Sequence, residues 1–224
     1  MMAVGYIFSA PFFVLTVKTS QKQGQKTSLV KYTKLALAMY VGVLALLIMW
    51  KQGVPALTLS VLPFSSINLY TILFVLFFGI GYGAYYATAD MSIPMVADCS
   101  DYETYRSGKY IPGIMSTLFS LVDKLVSSLG STIVGIAVAA IGISTLPDST
   151  TAYAPGMQTV VIVLFCVIPM LAWIITLWAM KGYTLTGEKM KEIQAVNNAR
   201  KQGIAQGMTL EQAMTTWKTV EDIN

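Results

Sequence analysis

The chain has 224 residues, 55% hydrophobic and 12% charged, with a formal net charge of +4 and a mean hydropathy of +0.62. A soluble globular domain carries about 25% charged residues, so this balance belongs to the membrane class. The basic residues are not interleaved with aromatics on any polar segment, which argues against a nucleic-acid partner, and the lack of histidine removes His-based proton relays, haem ligation and most zinc chemistry.

The first apolar run, 2–17, is short and interrupted by Gly5 and Pro11. It has no basic flank or cleavage site, so no signal peptide is expected. A segment with five lysines and no acid, 18–34, separates it from the second run, 35–50, which is apolar throughout. The third run, 69–89, contains a Gly/aromatic patch in which Gly79, Gly81 and Gly83 permit bending or close approach, and Tyr82, Tyr85 and Tyr86 offer flat faces and hydroxyls. Those faces suit sugar stacking, although an interfacial belt is the commoner use of tyrosine in a span. Asp90 follows at the expected membrane boundary.

Residues 97–110 are read as a loop holding Asp98, Asp101, Glu103, Arg106 and Lys109. Asp98 and Asp101 form one weak D-x-x-D. They could serve a Mg²⁺-dependent membrane enzyme, act as gate residues of a carrier, or belong to an ordinary solvated loop; spacing alone favours the last. The fourth run, 112–143, carries Asp123 and Lys124 at its middle. Lys124 lies twelve residues from Pro112, about 18 Å at helical rise and near the centre of a core about 30 Å thick. An ionisable pair there is costly, so the economical reading is a charge facing a wet cavity. Ser127, Ser128, Ser131 and Gly135 share its face at helical spacing, while Asp123 points about 100° away. The alternative is a buried ion pair locking two helices, with the serines allowing close packing. The fifth run, 159–180, is a clean span ending at Lys181.

Thirteen of the fifteen Lys/Arg residues then fall on one side, which the positive-inside rule makes cytoplasmic. The expected organisation is an all-α integral membrane protein: a bundle over 1–181 with five spans, and a cytoplasmic helical tail over 182–224. The tail is expected to lie on the membrane surface or the base of the bundle. Its first helix is capped by Thr186, runs to about Lys201 and stops at Gly203; a second opens on a capping box at Thr209. Cys99 and Cys166 differ in depth, so no disulfide is expected. Five spans would leave the first residue outside on a truncated helix, which suggests the C-terminal portion of something larger.

The stretch Pro94-Met95-Val96-Ala97-Asp98-Cys99-Ser100-Asp101-Tyr102 resembles the Ala-Asp-x-x-Asp-Tyr segment between helices ten and eleven of the glycoside–pentoside–hexuronide:cation symporters, a branch of the major facilitator superfamily. Lys124 falls where that family places a lysine in helix eleven, and 18–34 is similar to its connection between helices eight and nine. The resemblance runs from the first residues to about Ile193. It implies twelve helices in two bundles with sugar bound between them and alternating access by rocking, with this chain as the C-terminal bundle. Lys124, Asp123, Tyr82, Tyr86, Ser127 and Ser128 would then serve sugar binding and coupling, and Asp98, Asp101, Tyr102 and Arg106 the cytoplasmic gate. No catalytic residue, resident metal or cofactor is implied. The coupling cation, Na⁺ or H⁺, would bind mostly outside this chain, and the partners would be the lipid bilayer, a small sugar and a missing N-terminal bundle. The alternatives are the Mg²⁺-dependent enzyme built on Asp98 and Asp101, and a membrane remnant that does not transport.

Overall fold

The computed structural model describes residues 2–60, 66–143, 147 and 151–223, with side chains from Tyr6 onward. Among these residues every regular element is helical, because in lipid a single segment satisfies its own backbone groups only as a helix. The order is α1 (Met2–Gln23), α2 (Gln25–Met49), α3 (Leu69–Ala89), α4 (Ser92–Ser107), α5 (Pro112–Ala139), α6 (Met157–Ile162), α7 (Ile168–Gly182), α8 (Gly187–Ala205) and α9 (Leu210–Thr216). Four helices are long and apolar enough to cross a bilayer: Gln25–Met49, Leu69–Ser107, Pro112–Ala139 and Met157–Gly182. In the second of these the apolar part is α3, and the charged residues begin in α4. The fifth expected span, 2–17, forms the first part of α1, and the side chains of its first residues lie outside the described set.

The packed centre is the triplet α1, α2 and α3. Helix α2 buries Tyr32, Ala36, Tyr40, Val43 and Leu46, a three-and-four spacing that keeps one face inward, and α3 answers with Tyr70, Phe74 and Phe78. The Tyr70 hydroxyl donates to the Leu46 carbonyl at 2.6 Å, so a ring that would otherwise bury an unsatisfied O–H is anchored. Lipid is as apolar as this core, so close packing and interhelical hydrogen bonds, rather than exclusion from water, hold the helices together. The glycines of α3 serve that closeness. A Cβ on Gly83 would stand 2.8 Å from the Phe8 carbonyl oxygen, and one on Gly79 would meet the Phe8 ring at 2.7 Å, so this face of α3 is cut for α1. Gly81 points the other way, toward Tyr40 and Met39 of α2.

Helices α6 and α7 form one continuous rod, joined by a π-helical segment, Val163–Val167. Pro169, just beyond it, has no N–H and crowds the carbonyl one turn back, and a locally widened turn accommodates both. The segment seats buried Cys166 and brings Phe165 against Tyr40 and Phe78, with ring centroids at 6.0 and 5.4 Å. At the opposite end of α2, Gln158 donates to the carbonyls of Leu47 and Trp50, which the end of that helix leaves without intrahelical partners.

Three expectations are corrected. The basic segment 18–34 is not a loop: α1 runs to Gln23, the chain reverses at Gly24 alone (φ +87°), and α2 starts at Gln25, so the lysines sit on helix ends. Residues 97–110 are not a loop either. Most of them belong to α4, whose Met95 and Ser100 are buried and which stops at Gly108 in the left-handed conformation. High charge density does not mark a loop there: Asp98, Asp101, Glu103 and Arg106 lie on a helix that buries Met95 and Ser100. The first tail helix is capped by Thr186, but it passes through Gly203 to Ala205, and the chain turns at Gly207 (φ +100°). Gly203 is a packing site, since a Cβ there would fall 2.4 Å from the Trp217 ring. The Thr209–Gln212 capping box is formed as expected.

Candidate functional site

Three groups of expected site residues occupy three places. The first is an aromatic ledge where α3 meets α1. Tyr82 and Tyr86 stack with ring centroids 5.8 Å apart, Tyr6 stands edge-on to both at 6.1 and 5.1 Å, and Phe13 extends the row beside Tyr86 at 5.9 Å. Tyr6 and Phe13 are exposed and the two α3 rings half-buried, so the ledge is open on one side. Such a surface offers flat faces for the apolar side of a ring and hydroxyls for its polar rim. Tyr6 was missed from the sequence because it lies on a different helix, 76 residues from Tyr82.

The second group lies on α5. Lys124, Asp123, Ser127 and Ser128 are all exposed, and Val138 is the one buried residue of the helix among those described. Helix α5 meets α4 near its start and α6 near its end, and its middle is uncovered. Lys124 and Asp123 take part in no hydrogen bond or ion pair among the described residues. The Ser128 hydroxyl donates back to the Leu125 carbonyl at 2.8 Å, and Ser131 donates to the Ser128 carbonyl. Within this chain, Lys124 and the tyrosine ledge are not brought into contact.

The third group lies where α4 meets the tail. Arg106 pairs with Glu103 of its own helix at 3.0 Å, an exposed contact worth little. Tyr102 stacks on Tyr105 at 6.5 Å. The Asp101 carbonyl accepts from Asn197 at 2.9 Å. Buried Arg200 donates to the Tyr105 carbonyl at 2.7 Å and to the Trp217 carbonyl at 2.8 Å, with its guanidinium 5.3 Å from the Tyr105 ring centroid. The Tyr105 carbonyl is one of the last four of α4, which have no intrahelical partner, so Arg200 caps that end and places a cation where the helix dipole favours one. Met190, Ile193, Val196, Asn197, Arg200 and Gly203 recur at helical spacing on the buried side of α8. That stripe is the signal by which the Asn197 and Arg200 contacts could have been found. At its start α8 also presses on the α1–α2 turn, with a Gly24 Cβ falling 2.6 Å from the Gly187 Cα.

Asp98 lines a polar cavity of about 270 Å³ between that turn and α8, together with Ser20, Lys22, Lys191 and Gln194. Burial, with the Asp101 carboxylate as second cause, pushes its carboxyl from 3.8 up to about 6. The same burial, with Asp98 and then Cys99 as further causes, raises the Tyr183 phenol. The folded arrangement therefore binds the Asp98 proton more tightly than an open one. Its stability falls as pH rises from about 4 to about 6 and stays reduced above that. Replacing Asp98 by Asn should remove this dependence, slowing hydrogen exchange of α8 at pH 7.5 by the equivalent of about 1 kcal/mol, after discounting for solvent screening, with no difference at pH 4. A wild-type protection profile flat between pH 4 and 7 would contradict it.

Residues 1–187 match the family model for MFS/sugar transport protein. The chain is also similar to an uncharacterized 29.9 kDa protein in the crtE 3′ region of Pseudescherichia vulneris, at 32% identity over 124 residues, 55% of this chain and 43% of the relative. The chain thus spans less than half the length of that relative. No solved structure matches it significantly.

Proposed function

Because the chain belongs to the MFS/sugar transport protein family, we propose that it forms the C-terminal bundle of a sugar:cation symporter, working with a second bundle by alternating access. The substrate class would be a glycoside, pentoside or hexuronide, and the driving ion Na⁺ or H⁺. The observation that carries this reading is α5: a helix long and apolar enough to span, charged at its middle, and left uncovered along that stretch by its own bundle. A mid-membrane ammonium facing hydrocarbon is costly, and one facing a water-filled cleft between two bundles is not. The open ledge of Tyr6, Tyr82 and Tyr86 supports a ring-shaped polar substrate. The interlocked Gly24, α4 and α8 would form the cytoplasmic end, with Asp98 and Asp101 among the gate residues and the tail inside the cell membrane's cytoplasmic face. No step calls for covalent chemistry.

The test is uptake into proteoliposomes containing this chain together with the six-helix N-terminal half of a related symporter. A radiolabelled galactoside, xyloside and glucuronide are each offered under an imposed Na⁺ or pH gradient. At least one should accumulate, with cation dependence, only when both halves are present. Accumulation by this chain alone would overturn the two-bundle reading, and no uptake under any gradient would overturn symport.

A further inference from the structure

The groove between the first turns of α2 and the last turns of α7 combines two chemistries. Its upper part is lined by Lys26, Val30, Lys34 and Lys181, its lower part by Ile174, Leu177, Trp178 and Met180, and its volume is about 520 Å³. Among the described residues, no acidic one lines it. Lys26 is held in place by donating one N–H to the Tyr183 carbonyl, which leaves two donors free. Lys34 and Lys181 are exposed.

The two helices run in opposite senses here, and their sequences mark one boundary. The apolar run of α2 starts at Leu35, immediately after Lys34, and that of α7 ends at Met180, immediately before Lys181. Lys26 stands eight residues above Lys34, about 12 Å along the helix. Side chains on a helix lean toward its N-terminus, so Lys34 reaches up toward Lys26. Trp178, 71% exposed, sits one turn below Lys181, at the depth where indole rings settle between headgroups and chains.

From this arrangement we infer that the α2–α7 groove is a binding site for an anionic phospholipid, with the phosphate among the three lysines and an acyl chain along Ile174, Leu177 and Trp178. The occupant follows from complementarity. A free anion would use the lysines but leave the apolar floor empty, and a zwitterionic lipid would bring a fourth cation to a site that already has three. Basic pockets between membrane helices on the positive side are suited to anionic headgroups, each lysine contributing several-fold in affinity. The inference rests on the membrane reading of α2 and α7 and not on sugar transport, so its failure would leave the proposed function standing.

The test uses the full chain, purified and delipidated in mild detergent, with lipid adducts counted by native mass spectrometry. Dioleoyl phosphatidylglycerol should bind at least about tenfold more tightly than dioleoyl phosphatidylcholine. The Lys34→Gln/Lys181→Gln pair should lose most of that preference, while Lys18→Gln/Lys22→Gln, which removes the same charge from α1 outside the groove, should keep it. Glycerol 3-phosphate and inorganic phosphate should not displace the lipid. A second measurement avoids the lysine variants: chain-brominated phosphatidylglycerol should quench Trp178, read as the difference between wild type and Trp178→Phe, more than brominated phosphatidylcholine does. Equal binding of the two lipids, equal losses in the two double variants, displacement by free phosphate, or equal quenching would each overturn the site.

Discussion

Gly83→Ala is expected to lower the thermal unfolding midpoint of the purified chain by several degrees, and Gly83→Leu to leave it without a monodisperse peak in size-exclusion chromatography. The added Cβ would come within 2.8 Å of the Phe8 carbonyl oxygen and 2.9 Å of its carbonyl carbon. These are backbone atoms of a helix and cannot swing aside, so α1 and α3 must separate. Overpacking of this kind costs about 1–3 kcal/mol for one methyl and more for a branched side chain. Separation would also break the Tyr6 contacts with Tyr82 and Tyr86 that build the ledge. Gly130 on α5 is the internal control, with nothing within 4 Å of where its Cβ would lie. Gly130→Ala should be neutral or slightly stabilising, since alanine is favoured over glycine inside a helix by up to about 1 kcal/mol. Equal behaviour of the two alanine variants would show that α1 and α3 do not meet at Gly83.

Lys124→Ala, introduced into the two-bundle carrier, is expected to abolish sugar accumulation while leaving expression and the unfolding midpoint unchanged. The side chain is exposed and supports nothing in its own bundle, so removing it costs this chain no packing. Its expected contact is with substrate or with an acid across the cleft. Losing a charge-assisted hydrogen bond of about 1.5–3 kcal/mol corresponds to roughly a ten- to hundredfold weaker interaction. Lys124→Arg should retain part of the activity, because the charge survives while the point-like ammonium is replaced by a planar fork. A cysteine at position 124, in a background lacking Cys99 and Cys166, should be labelled by water-soluble thiol reagents. Wild-type accumulation by the alanine variant, or a position no aqueous reagent reaches in an active carrier, would remove Lys124 from the transport pathway.

The uneven legibility of this chain follows from the range over which each signal acts. Apolar run length and backbone satisfaction in lipid are local, so the runs 35–50, 69–89 and 159–180 are legible in the sequence, and they fall largely within α2, α3 and the α6–α7 rod. The Thr186 cap and the Thr209 capping box were equally visible, because each needs only three or four consecutive residues. A helix that is polar on one side gives no such local signal. Residues 97–110 carry the charge density of a loop but are mostly helical because Met95 and Ser100 are covered, and Gly203 has the residue type of a helix stop but serves as the seat of the Trp217 ring. Asp98 illustrates the same limit in electrostatics: an aspartate in a charged stretch reads as ionised, and the shift to about 6 exists because the α1–α2 turn and α8 close over it.

By itself the sequence determined that the chain is helical, that it lives in a membrane, where its lysines and arginines cluster between the apolar runs, and that an ionisable pair stands near the middle of the run 112–143. These are properties of composition and of contacts between near neighbours. Tertiary structure alone decided which faces are covered. It joined Tyr6 to Tyr82, closed α8 over α4 through Arg200, gathered Lys26, Lys34 and Lys181 around one apolar groove, and left the middle of α5 bare. Each of these outcomes depends on residues far apart in the chain meeting or failing to meet, which helical spacing permits but does not specify.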